Sequence, residues 1–338
     1  MKKILIFISV FIIFFEITSI IFTKLELFIF NETPKYFFDT KNKDEWKIID
    51  KDGNNWHKKN YSARHISRCF DVEYSFNNIG ARDYNDYFIN DSKESIMLIG
   101  DSFAEGYGVE IDKIFAKIVE KKIDKKVLNF GVSGSNPKNH ISKYINEGSK
   151  YNFDELIYLF LPNNDFLEIA KNVSSNKEKN FSFSNLNLEI LKYNLAINLS
   201  RFTYSYNFIR SAYHLLNVKL TNGFENSSYY YQDIEHVNYT FEVLENLFNY
   251  KDVKSYIVII PTIYDIDNLQ KNITNYKNLY WYKEIVKLAE RNNIILVDLM
   301  DFVDFDKKHL YFHSCDGHWS EYGSKFSADS FLEKYIIN

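Results

Sequence analysis

The sequence predicts an α/β fold: a three-layer sandwich with about five parallel strands in flavodoxin-like order, preceded by an N-terminal transmembrane helix. Three observations predict it. From Ser95 onward, short apolar runs alternate with amphipathic stretches, the rhythm of βαβ units with right-handed crossovers. The apolar runs are unbroken, as in parallel strands covered on both faces. At the start of the chain, Lys2 and Lys3 precede Ile4 to Phe22, an apolar stretch of 19 residues.

That stretch spans roughly 28 Å at about 1.5 Å per residue, close to a bilayer's hydrocarbon thickness. The lysines favour a cytoplasmic N-terminus, so the reading is a single-pass anchor with the following chain outside the cytoplasm. A cleaved signal peptide is the rival. It needs small residues at its cleavage site, but no Ala precedes Ala63 and only Thr18 and Ser19 offer small side chains. A buried soluble helix is the third reading. Glu16 lies off-centre and can lean toward the headgroups. The expected division is residues 1–30 as anchor, 31–94 as stalk and approach segment, and 95–338 as the α/β domain.

With 338 residues, 46% hydrophobic, 25% charged and a net charge of −4, the chain has no basic excess, so nucleic acid is not an expected partner. Cys69 and Cys315 are too few for a disulfide scaffold or a zinc site, and no cofactor is expected. Outside the cytoplasm the two can form one disulfide or stay as thiols, and the sequence leaves this open.

The strand candidates are residues 96–99, 127–130, 156–161, 256–260 and 294–297. The clearest helical stripe is Ile111, Ile114, Phe115, Ile118 and Val119; other helices are expected near 138–150, 237–250, 276–292 and 320–335. Ahead of the domain, Ser75 to Asp83 reads as a turn with its own packing. Residues 171–236 break the rhythm and read as an insertion with a helical centre near Phe202 to Leu216, either a lid or substrate wall or a plain helical excursion.

Three strand candidates end in polar punctuation: Gly100-Asp101-Ser102, Asn129-Phe130-Gly131-Val132-Ser133-Gly134, and Pro162-Asn163-Asn164-Asp165. In a parallel sheet these ends share one edge, where such sheets bind ligands. The last helix is preceded by Asp316-Gly317-His318-Trp319, which brings a carboxylate and an imidazole to that edge. A serine needs a base to become a nucleophile, and His318 supplies one, with Asp316 to orient it. The Ser102 N–H, the Gly134 N–H and the Asn164 amide are candidate donors to an oxyanion. Each block alone reads as a turn or a helix cap, but four in this order, each at a strand end or helix start, point to one site.

These blocks resemble the SGNH hydrolases of the GDSL esterase and lipase superfamily, in a bacterial membrane-anchored branch. The resemblance covers roughly 76–170 and 254–335, and is sharpest in Gly100-Asp101-Ser102-Phe103 through Val109 and in Asn129 to Gly134. It implies Ser102 as nucleophile, Gly134 and Asn164 as oxyanion donors, and His318 as base. Two departures stand out. Cys315 occupies the family's usual aspartate place, with Asp316 one residue closer to His318. Pro162 and Asn163 precede Asn164 where glycine is common. A similar Asp-X-His-Trp occurs in SGNH-like proteins that O-acetylate bacterial polysaccharides.

The leading expectation is thus an extracytoplasmic serine esterase at the cell membrane. Its substrates would be acyl esters, O-acetyl among them, on cell-envelope glycans. The alternatives are an O-acyltransferase using the same Ser102 and His318, and a non-catalytic envelope or glycan-binding protein.

Overall fold

The structure is a computed structural model. It describes residues 2–25, 45–66, 70–91, 94–166, 195, 199, 202–220, 229, 232–271, 275–313 and 317–337. The chain divides into two compact units, residues 1–41 with 170–223, and residues 42–169 with 224–338.

The larger unit is built on a five-stranded sheet of β5 (Ser95–Gly100), β6 (Lys126–Gly131), β7 (Glu155–Phe160), β8 (Lys254–Ile259) and β9 (Ile295–Asp298). The order is β6-β5-β7-β8-β9 and every pairing is parallel, so the flavodoxin-like expectation holds. Every residue of β5 and β7 is buried, which is why both strands read as unbroken apolar runs. Helices cover both faces. On one, α3 (Phe115–Ile123) packs with α11 (Glu321–Ile337). On the other, α4 (Pro137–Asn146), α7 (Ile234–Phe248) and α9 (Tyr280–Arg291) pack together.

Two features differ from the sequence reading. The Ile111–Val119 stripe is not one helix. Residues 111–113 form a 3₁₀ turn, Ile114 is extended at ψ 155°, and α3 starts at Phe115. Ile111, Ile114, Phe115 and Val119 are nonetheless all buried, so the apolar pattern recorded burial rather than a continuous helix. Secondly, the approach segment carries two antiparallel hairpins, β1 (Lys47–Ile49) with β2 (Asn55–His57), and β3 (Tyr61–Ile66) with β4 (Asp71–Phe76). Trp46, Trp56, Tyr74 and Phe76 are buried, and residues 42–94 belong to the same unit as the sheet.

In the smaller unit, α1 (Lys2–Lys24) contains a span of 21 residues, Lys2 to Phe22, long and apolar enough to cross a membrane. It packs with α6 (Tyr204–Leu220), a helix lying where the sequence placed the centre of the insertion. The Glu16 carboxylate accepts the Tyr204 and Ser205 N–H groups at 2.7 and 2.9 Å. It thereby satisfies donors that a helix N-terminus leaves open. Phe208 packs edge-on against Phe15 and Phe22. The lid reading of 171–236 and the Cys69–Cys315 question fall largely on residues outside those described.

Candidate active site

Ser102 opens a single helical turn, α2 (Ser102–Glu105), at the C-terminal end of β5. Asp101 caps it, with its carboxylate accepting the Phe103 N–H at 2.9 Å. The turn lies directly on β6. A Cβ at Gly131 would come within 2.3 Å of the Glu105 nitrogen and 2.4 Å of the Ala104 carbonyl carbon, so only glycine allows this approach.

His318 lies 216 residues later, and its Nε2 is 2.7 Å from Ser102 Oγ. Phe312 bridges Trp319, and the His313 N–H donates to the His318 carbonyl at 2.9 Å, which fixes the backbone around the histidine. Tyr107 stacks on the imidazole with ring centroids 4.2 Å apart, and Phe103 lies 5.2 Å away. The ring is therefore held on its faces while its edge meets the serine. Asp316 lies outside the described residues.

Asn164 sits in α5 (Pro162–Asp165) at the end of β7, and its amide donates to Asp101 Oδ2 at 3.0 Å. That leaves the amide a second N–H. Asp101 and Asp165 are both fully buried and act on one another. Burial and the Asp101 charge push the Asp165 carboxyl well above the usual range. Burial also raises Asp101, but the Phe103 N–H, the Asn164 amide and the His318 charge oppose the rise. We therefore assign the negative charge of the pair to Asp101, which accepts two hydrogen bonds.

Gly134 lies in the loop after β6 with φ +75°, a conformation that favours glycine. The loop is tied down from beneath. Ser135 Oγ donates to the Val132 carbonyl at 2.6 Å and lies 2.7 Å from His140 Nε2, whose Nδ1 is 3.0 Å from the Tyr158 hydroxyl. Because the Ser135 proton is used on Val132, His140 carries its proton on Nε2 and accepts from Tyr158 on Nδ1. Burial drives the His140 pKa down to about 3, so the ring is neutral.

Three strand ends and the segment before α11 thus carry Ser102, Gly134, Asn164 and His318, and the serine and histidine meet. Sequence reasoning overlooked several contributors. Asp101 orients Asn164. Glu105 accepts the Ser133 N–H at 2.5 Å. Arg82, fully buried, donates to the carbonyls of Gly106 and Val109 and lies 3.6 Å over the Tyr74 ring. The packed turn ending at Asp83 was the available signal for Arg82. Nothing local flagged the partners of Glu105.

No family model matches the chain, and no curated protein matches it. Among solved structures it is similar to a member of the lipolytic G-D-S-L family from Veillonella parvula, at 13% identity over 72% of this chain and 100% of that one, with a TM-score of 0.41. It is also similar to a putative lipolytic G-D-S-L protein from Desulfitobacterium hafniense, at 13% identity over 71% and 98%, with a TM-score of 0.38. The esterase EstA from Pseudoalteromonas sp. matches at 12% identity over 72% and 100%, with a TM-score of 0.40.

Proposed function

We propose that the chain is a serine ester hydrolase of the SGNH type. The observation that carries this reading is the 2.7 Å contact between Ser102 Oγ and His318 Nε2 at the ligand-binding edge of a parallel sheet. His318 takes the hydroxyl proton as Ser102 attacks an ester carbonyl. The tetrahedral intermediate places its oxyanion among the Ser102 N–H, the Gly134 N–H and the Asn164 amide. Collapse expels the alcohol, which receives the proton from His318, and water then releases the acid by the same steps. Asp316, two residues before the base, orients the imidazole and stabilises its charged form.

The enzyme acts outside the cytoplasm, held at the membrane by α1, on acyl esters such as O-acetyl groups of cell-envelope glycans. Lys2 and Lys3 support the orientation of the span. The Glu16 contacts support retention of α1, since a removed signal peptide would not cap α6. The substrate class rests on the resemblance of the Asp316-Gly317-His318-Trp319 block.

Turnover of p-nitrophenyl acetate by the full chain in detergent tests the reading. Ser102→Ala and His318→Ala should each lose at least about 10³-fold in kcat, and Asp316→Asn up to about 10⁴-fold through the wrong tautomer. Wild-type turnover in folded Ser102→Ala protein contradicts it.

A further inference from the structure

The hairpin ahead of the sheet reaches the candidate site. Asn55, on β2, donates its side-chain amide to the Gly134 carbonyl at 2.9 Å. His57, two residues on, is fully buried, with Nδ1 2.9 Å from the Gly80 carbonyl and Nε2 3.4 Å from Glu105 Oε2. The same Glu105 oxygen accepts the Ser133 N–H. Glu105 is the last residue of α2, the turn that Ser102 opens.

We propose that Asn55, His57 and Glu105 are positioning residues for the oxyanion donor at Gly134, an inference that rests on the esterase reading. Three successive peptide planes are involved. The Ser133 N–H belongs to the plane before the Ser133–Gly134 peptide, and the Gly134 carbonyl belongs to the plane after it. Glu105 holds the first and Asn55 holds the third. The peptide between them, which carries the Gly134 N–H, is fixed from both sides while that N–H stays available to the ester oxygen. A donor held in place before reaction costs no reorganisation in the transition state.

His57 keeps Glu105 in its role. Its Nδ1 lies 2.9 Å from the Gly80 carbonyl, which braces the ring, and its Nε2 edge faces the carboxylate at 3.4 Å. Burial would raise the Glu105 carboxyl, but the His57 imidazole, the Ser133 N–H and the Arg82 guanidinium more than reverse this and hold it at about 2. Glu105 is therefore an anion at neutral pH and accepts the Ser133 N–H strongly. One carboxylate thereby links the serine's helical turn to the loop that would bind the oxyanion of the tetrahedral intermediate.

The test uses Asn55→Ala, since Asn55 is only half-buried and its loss leaves the core intact. Full-length wild type and variant are compared for ester kinetics and for inhibition by an aryl trifluoromethyl ketone, whose serine adduct carries an oxyanion. Asn55→Ala should lose about 10- to 100-fold in kcat with KM nearly unchanged, less than deletion of a donor itself. The ketone's inhibition constant should rise by the same factor, and Asn55→Gln should recover part of both. A merely structural role would not make kcat and ketone affinity fall together with KM constant. Wild-type kcat and ketone affinity in Asn55→Ala overturn the inference while leaving the esterase reading intact. Wild-type protein that neither hydrolyses esters nor binds the ketone overturns both.

Discussion

Glu105 is the residue whose ionisation couples site and stability most directly. Its carboxyl sits at about 2 in the folded chain against an ordinary value of 4.5. A depressed pKa contributes stability that is complete above the unfolded value and is lost as pH falls through the folded one. The window here runs from about pH 4.5 down to about pH 2, and the full contribution is on the order of 3 kcal/mol. Glu105→Gln should therefore be less stable than wild type to urea at pH 7, and that gap should narrow by pH 3. An equal gap at both pH values contradicts the assignment. Asp165 works in the opposite sense. Its raised carboxyl favours the folded state at low pH, and this contribution is lost as pH rises through its folded value. The roles proposed for Ser102 and His318 could be read from the sequence because strand-end punctuation is local. Those of Asn55 and His57 could not. Asn55 lies 79 residues from Gly134 and is joined to it only by the folded hairpin.

Elements covered on both faces were the easiest to read. The central strands read as apolar runs because their middles meet water on neither face, every residue of β5 and β7 being buried, and their sequence order placed three polar ends on one edge. The hairpins went unread for different reasons. β1 and β2 have three residues each, too few for a period to show. β4 does alternate, Asp71-Val72-Glu73-Tyr74-Ser75-Phe76 with Val72, Tyr74 and Phe76 buried, and this pattern was legible but overlooked. The pairing of α1 with α6 was not legible, since a lone Glu16 in an apolar helix names no partner. The structure supplies one in the first turn of α6. Glu16→Ala should remove that cap and cost about 0.5–2 kcal/mol locally. Hydrogen exchange of the full chain in detergent should then show faster exchange at Tyr204 and Ser205, with the sheet strands unchanged. Equal exchange at those two amides argues against the cap.

At the scale of the molecule, the chain joins an apolar N-terminal helix to a sheet whose polar edge bears a serine, an imidazole and three candidate oxyanion donors. The proposed esterase reading makes this edge a nucleophilic site with Ser102 as its nucleophile. The most direct measurement is reaction of the purified full-length protein with a fluorophosphonate, followed by mass mapping of the modified peptide. One adduct per chain is expected, on Ser102, absent from Ser102→Ala and strongly slowed in His318→Ala, because the hydroxyl reacts only when the imidazole removes its proton. A folded wild-type protein that remains unlabelled, or an adduct on another residue that persists in Ser102→Ala, would contradict it.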